Sequence, residues 1–182
     1  PKICSHTHLP LQSGSSETLA RMRRDYSAEE FRDVVHRLRQ AIPDIALTTD
    51  VITGFCGETD AQFQETYDMM ADVRFDAAFM FKYSPRSGTA AYKRLEDEVP
   101  EAVKGERLKA IIDLQKSISE SRNQSYIGRT VEVLVEGESK RDANKFYGKT
   151  DTFKTAIFPA RADIQAHSVV SVDVSHVSAY TL

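Results

Sequence analysis

Asp50-Val51-Ile52-Thr53-Gly54-Phe55-Cys56-Gly57-Glu58 is the stretch that decides the fold. The run that leads into it, Ile45 to Ile52, carries no charge before Asp50 and is rich in β-branched residues, which suits a strand buried on both faces. Gly54 and Gly57 then remove Cβ where the backbone must turn sharply or let another group approach. Asp60 is placed as the N-cap of a helix whose apolar run is Phe63, Tyr67, Met70 and Ala71. Its free N–H groups and positive dipole end would face whatever lies over the C-terminal end of the strand. In parallel α/β architectures ligands bind at that end. An ordinary strand-to-helix turn, with glycines that only satisfy backbone geometry, reads equally well from the local pattern.

The same plan recurs on either side. Ile3 to Leu11 reads as a short strand, followed by the polar turn Gln12-Ser13-Gly14-Ser15-Ser16-Glu17 and a helical Thr18 to Arg24. His6 and His8, two apart, point to one side of that strand. Such a pair can bind metal, but with no third ligand nearby, hydrogen-bonded packing or cofactor contact is preferred. Arg21, Arg23 and Arg24 read as a solvated helix face, although one arginine at the mouth of a strand-end pocket would suit a carboxylate. Ser27-Ala28-Glu29-Glu30 is a capping box that opens a helix over residues 28–41, with Phe31, Val34, Val35, Leu38 and Ile42 as its apolar stripe and Pro43 closing it. A helix over 61–73, a mostly apolar strand from Phe75 to Tyr83 and the turn Ser84 to Thr89 complete a third unit. Three such units predict a parallel sheet with all three polar turns on one rim. A long connecting helix from about Pro100 to Tyr126 follows, and its charge run Lys104 to Lys109 reads as a solvated face.

After Gly128 the pattern changes to short alternating strands: Thr130 to Gly137, Phe146 to Thr150, Thr155 to Phe158 and Val169 to Val177. These predict a small, nearly closed β-barrel. The chain therefore divides into residues 1–121 and 122–182. Lys140, Arg141, Lys145, Phe146, Tyr147 and Lys149 would suit RNA by phosphate contact and base stacking. Glu132, Glu136, Glu138, Asp142 and Asp151 lie among them and oppose a uniformly basic face.

The 182 residues suffice for one ordinary domain or a larger piece with an appendage, and the net charge of −3 argues against an overall basic nucleic-acid binder. Cys4 and Cys56 form no C-x-x-C pair, so they supply neither a disulfide framework nor a metal site; the chain reads as a reducing, cytoplasmic one. No stretch approaches the roughly 20 apolar residues of a membrane span. A start at Pro1, without Met or a signal-peptide pattern, reads as a processed or excised segment.

In order and spacing, His8-Leu9-Pro10-Leu11-Gln12-Ser13-Gly14-Ser15, Met22-x-Arg24-x-Tyr26, Asp50-x-Ile52-x-Gly54-Phe55-x-Gly57-Glu58 and Phe81 to Thr89 resemble the radical S-adenosylmethionine (SAM) methylthiotransferases, above all the tRNA branch. The stretch from Gly128 to Asp151 resembles the RNA-binding TRAM barrel of the same proteins. The resemblance implies an α/β fold: the C-terminal half of a partly open TIM-like (β/α) radical SAM barrel, then a small all-β, OB-like TRAM barrel. It implies addition of a methylthio group to isopentenylated adenosine beside the anticodon, with SAM as cofactor, two [4Fe–4S] clusters, and tRNA and a reductant as partners. The ribosomal-protein branch, the threonylcarbamoyladenosine branch and a non-catalytic RNA-binding module are the alternatives.

By the same resemblance, Gln12, Ser13 and Gly14 would line the cofactor pocket and Arg24 would meet the methionine carboxylate. Asp50, Ile52, Gly54 and Glu58 would pass the adenine and ribose, and Tyr83 would close the adenine side. Glu58 reads almost as well as a helix cap. The departures bear on activity: the C-x-x-x-C-x-x-C motif that holds the catalytic cluster is absent, and cluster ligation needs thiolates in fixed spacing. The cluster ligands therefore lie outside this chain, which alone should be inactive. Cys56 and Ala90 stand where the family usually has proline. A half-barrel should also expose a strand edge and apolar faces, and so associate.

Overall fold

The structure, a computed structural model, describes residues 3–161 and 163–182; Pro1, on which the excised-segment reading turns, lies outside them. Strands β1 (His6–His8), β2 (Ala46–Thr53) and β3 (Ala77–Lys82) form a parallel sheet in that order, with His8 beside Thr48 and Asp50 beside Phe79. Helices α1 (Ser16–Arg21) and α2 (Ala28–Ala41) connect β1 to β2, and α3 (Asp60–Val73) connects β2 to β3. The short α4 (Ala90–Arg94) and long α5 (Glu101–Gln124) follow.

β1 is shorter than its sequence pattern. Pro10 has no N–H to give a ladder, so the chain leaves the sheet after His8 and rejoins it only at Gln12, which bridges to Val51. Ser27 and Glu30 close the expected capping box on α2, and Phe31 and Val35 enter the core. Ile42 does not; it falls beyond the last turn, at the C-cap, and is exposed. α3 is capped by Thr59 rather than Asp60: the Thr59 hydroxyl accepts the Gln62 N–H while the Gln62 side chain returns to the Thr59 N–H. A hydroxyl one residue earlier completes a reciprocal box that Asp60 has no partner to form.

The two faces of the parallel sheet differ. Leu47, Val51, Ala78 and Met80 face the helices and join a core with Leu11, Phe31, Val35, Met69, Met70, Val73, Phe75 and Ile111. The opposite face carries His8, Asp50, Ile52, Phe79 and Phe81, and there β2 is not closed over: Asp50 and Ile52 are half-buried. Phe79 and Phe81 on β3 are 60% and 53% exposed. In a closed barrel this face would be the interior.

α5 corrects the solvated-face reading of residues 104–109. Lys104 and Arg107 are buried, and with Ile111, Gln115 and Ile118 they form the stripe by which α5 lies on the sheet and α3. The helix runs on unbroken through residue 122, past the expected boundary between the units, to Gln124.

β4 (Thr130–Ser139), β5 (Asp142–Thr150), β6 (Thr155–Pro159) and β7 (Val169–Asp173) form an antiparallel sheet in the order β6-β5-β4-β7. It curls around Val133, Val135, Ala156, Phe158, Ile164, Val174 and Leu182, and the chain's last residues pair with β6 through Thr181 and Thr155. β7 stops at Asp173, short of Val177. Side-chain contacts tie the units together. The buried Asp76 carboxylate takes Arg122 Nε and Lys154 Nζ, each at 2.9 Å, and the His6 ring stacks on Phe153 at 4.7 Å.

Candidate cofactor cleft and RNA face

The turns after β1, β2 and β3 meet on one rim, as a parallel sheet requires. Between them lies a cleft of about 420 Å³ whose lining includes Gln12, Asp50, Ile52, Phe55, Phe81, Tyr83 and Arg86. Of the nine residues expected at a cofactor, Gln12, Asp50, Ile52 and Tyr83 are therefore brought together. Gln12 holds a left-handed backbone, φ 63°, and its peptide is clamped into β2: its N–H donates to the Asp50 carbonyl and its carbonyl accepts from Ile52 N–H. A non-glycine residue in that region is strained and needs such over-determination to persist.

Of the other five, all but Arg24 serve the rim without lining the cleft. Ser13 and Gly14 lie beneath α3, bonded to the Thr66 hydroxyl at 3.1 and 2.9 Å. A Cβ on Gly14 would sit 2.5 Å from the Glu65 carbonyl oxygen and 2.6 Å from Thr66 Cα, so this glycine permits helix-on-strand contact rather than ligand approach. Gly54, at φ +69°, faces the Lys104 side chain, which a Cβ would strike. Its N–H donates to Glu58 Oε2 at 2.7 Å. Glu58 in turn receives Arg107 at 2.9 Å, while the same guanidinium reaches Asp60 at 2.6 Å. Burial pushes the Glu58 carboxyl up, against the pull of the Gly54 N–H and Arg107. Glu58 is thus the anchor under the turn. Arg24 is exposed and away from the cleft; the cations on the lining are Lys82 and Arg86. Arg21 instead binds Gln62 Oε1 at 2.5 Å and the Gly57 carbonyl at 3.3 Å, holding the second turn from behind.

Lys104 and Arg107 were missed in the sequence, although a signal existed. Extending the stripe Ile118, Gln115, Ile111 back by helical steps lands on Arg107 and then Lys104. Lys104 Nζ pairs with Asp97 at 2.6 Å and lies 5.5 Å from the centre of the Tyr83 ring. Tyr83 packs edge-on against Phe55 at 4.9 Å. Burial, with Cys56 beside it, pushes its phenol up to about 12, so it stays a hydrogen-bond donor at neutral pH.

His6 Nε2 and His8 Nδ1 both meet the Thr48 hydroxyl at 3.0 Å, and His8 Nε2 meets Asp50 Oδ2 at 3.3 Å. They are hydrogen-bonded across the sheet. Among the described residues no group of three or more His, Cys, Asp or Glu is placed to hold a metal ion, and Cys4 is exposed whereas Cys56 is buried. An iron–sulfur cluster does not fit these residues.

On the second unit, Lys140 and Arg141 sit exposed at the β4–β5 turn, with Lys145 near Asp142. Phe146 is half-buried, and its ring packs toward Phe158 at the edge of the barrel core. The alternation of β5 sends it inward. Lys149 lies over the Phe153 ring at 4.5 Å and donates to Thr155, which places it at the junction of the units.

Residues 2–70 match the family model described as the radical SAM superfamily, and residues 124–182 match that of the TRAM domain. The chain is 48% identical over 182 residues to the tRNA-2-methylthio-N(6)-dimethylallyladenosine synthase of Chlorobium phaeovibrioides, covering 100% of this chain and 40% of that protein. The protein of the same name from Clostridium tetani is 43% identical over 181 residues, again covering 100% of this chain and 40% of the relative. That from Moorella thermoacetica is 50% identical over 158 residues, covering 87% of this chain and 35% of the relative. The chain thus spans about 40% of the length of the curated relatives it matches. Among solved structures, coproporphyrinogen III oxidase (HemN) from Escherichia coli, a radical SAM enzyme, superposes with a TM-score of 0.53 at 19% identity, covering 64% of this chain and 27% of that one, a likeness of fold. No helix of the described residues is long and apolar enough to cross a membrane. The family matches fall on the two units in turn: the radical SAM superfamily model on residues 2–70, the parallel βα unit, and the TRAM domain model on residues 124–182, the curled sheet.

Proposed function

We propose that this chain is part of a cytoplasmic tRNA-modifying enzyme that adds a methylthio group to isopentenyladenosine beside the anticodon. The observation that carries the reading is the rim cleft: residues from three βα turns converge over a half-barrel whose TRAM unit is docked to it through Asp76. SAM suits the cleft in size and lining, with Phe55 and Tyr83 as apolar walls for adenine, Gln12 and Asp50 as polar partners, and Lys82 or Arg86 for the methionine carboxylate. When bound, SAM and the iron–sulfur clusters would supply the radical and sulfur chemistry, reduced by a partner protein; the cluster ligands are not in this chain. The residues present bind and orient. Gln12 is held rigid by β2, Tyr83 offers a hydrogen bond, and the Lys104 and Arg107 pairs keep both turns in place. Lys140, Arg141 and Lys145 would meet RNA phosphates.

Calorimetry with SAM and with an anticodon stem–loop RNA, at two salt concentrations, tests the two halves on the chain itself. Both ligands should bind, the RNA with a negative salt slope. Tyr83→Ala should weaken only the cofactor, and Lys140→Ala with Arg141→Ala only the RNA. RNA binding with no cofactor binding would reduce the chain to an RNA-binding module, and binding of neither would overturn the reading.

A further inference from the structure

A line of side chains runs along the open face of the parallel sheet from the second unit to the cofactor cleft. At its far end the Phe153 ring stacks on His6 at 4.7 Å and 16°, and Lys149 Nζ lies 4.5 Å from the centre of the same ring. Phe153 holds a left-handed backbone, φ 62°, in the turn between β5 and β6. That state is strained for a bulky residue and persists only where contacts enforce it. The pairing of β1 with β2 continues the line: His6 Nε2 and His8 Nδ1 both lie 3.0 Å from Thr48 Oγ1, and His8 Nε2 lies 3.3 Å from Asp50 Oδ2. Asp50 lines the cleft, whereas Phe153, His6, Thr48 and His8 do not.

With Asp50 ionised and both imidazoles neutral, the hydrogens have one consistent order. A carboxylate only accepts, so His8 carries its hydrogen on Nε2 and its Nδ1 must accept. The Thr48 hydroxyl donates to that Nδ1, and its oxygen takes the His6 Nε2–H. Each link fixes the next, and Asp50 Oδ2 is committed to His8, which leaves Oδ1 to whatever occupies the cleft. The Asp50 side chain is 32% exposed, so nothing but this partner keeps the carboxylate from turning toward solvent.

We infer that Phe153, His6, Thr48 and His8 are positioning residues for Asp50: they fix the carboxylate that the cleft presents to its cofactor and make cofactor affinity depend on how the second unit is seated. This role rests on the cofactor reading of the cleft and deepens it, adding four residues that do not line the cleft and joining the two units through one of its walls. Coupling of this kind is reciprocal, so a cofactor that engages Asp50 also favours the seated Phe153.

The test is calorimetric binding of SAM to the chain and to its Thr48→Val, Thr48→Ser, Phe153→Leu and combined Thr48→Val, Phe153→Leu variants, with the imidazole nitrogens of His6 and His8 followed by NMR at neutral pH. In the unsubstituted chain both rings should carry their hydrogen on Nε2. Valine keeps the shape of threonine without the hydroxyl, so Thr48→Val should weaken SAM about three- to tenfold, the worth of one lost hydrogen bond, and Thr48→Ser should restore it. Phe153→Leu, at an exposed position in the other unit, should weaken SAM about two- to threefold and shift the His8 resonances, yet add nothing once Thr48 is valine. His8 with its hydrogen on Nδ1, unchanged affinity in Thr48→Val, or effects of the two substitutions that add in full would overturn the inference. Should Thr48→Val fail to fold, the tautomers of the unsubstituted chain and the Phe153→Leu shift decide the matter. If the unsubstituted chain does not bind SAM, the cofactor reading falls; the line then stands if Phe153→Leu moves the His8 resonances and falls if it does not.

Discussion

Arg107→Leu should destabilise the parallel unit by about 3–5 kcal/mol, the cost of stranding a buried ionised partner. Its guanidinium is the counter-ion of Glu58, whose side chain has 0% exposure, and it also binds the Glu58 carbonyl at 3.0 Å. Its second carboxylate partner, Asp60, is 96% exposed, so that arm adds at most about 1 kcal/mol. Leucine removes the charge and leaves Glu58 with the Gly54 N–H alone. Urea unfolding followed by circular dichroism reads the effect: at a slope of about 2 kcal/mol per M, the midpoint falls by roughly 1.5–2.5 M with the slope unchanged. The sign with pH follows from Glu58. Burial already holds its folded pKa above the ordinary value of 4.5, and loss of Arg107 raises it further. The penalty is therefore largest at neutral pH and shrinks as pH falls and the carboxyl takes its proton. Glu58→Gln combined with Arg107→Leu should recover more than half of the loss. A midpoint shift under about 0.5 M, or a double variant no better than the single one, would refute the claim that this charge run is a buried anchor.

Gly14→Ala should cost about 2–4 kcal/mol, because a Cβ meets the α3 backbone rather than a side chain that can swing away, and the thermal midpoint would report it. Gly54→Ala combines a φ of +69° with displacement of the buried Lys104 side chain, so SAM affinity should fall together with stability; a stable variant with unchanged affinity would contradict that account. His6 is held below its ordinary 6.5 by burial first, then by His8, with Lys149 adding and Asp76 opposing. Its contribution to stability is therefore fully present above pH 6.5 and is lost as pH falls through the lowered pKa, and His6→Gln should flatten the urea midpoint over that interval. Light scattering tests the open face: the chain should self-associate through Phe79 and Phe81, and Phe79→Ser with Phe81→Ser should return it to a monomer.

Most elements were legible in the chain, although α4 was not and β1 was read too long. Ser27 and Glu30 mark the start of α2, the uncharged β-branched run marks β2, and the change to period two after Gly128 marks the second unit. These are local signals, set by backbone geometry and side-chain periodicity, and the motif spacings that point to the superfamily are local in the same sense. What each residue does at the rim was decided by neighbours far away in sequence. Lys104 and Arg107 looked like surface charge until α5 was laid across the Gly54 turn, 49 residues from Glu58 at the Arg107 contact. Gly14 and Gly54 looked like openings for a ligand, and α3 and Lys104 occupy those openings. Phe146 read as a base-stacking ring, and the register of β5 packs it half-buried against the barrel core. Sequence alone determined which segments become strands and helices and where their ends converge; only the tertiary structure decided which side chains stay at that convergence, because burial and pairing are settled by what packs on top.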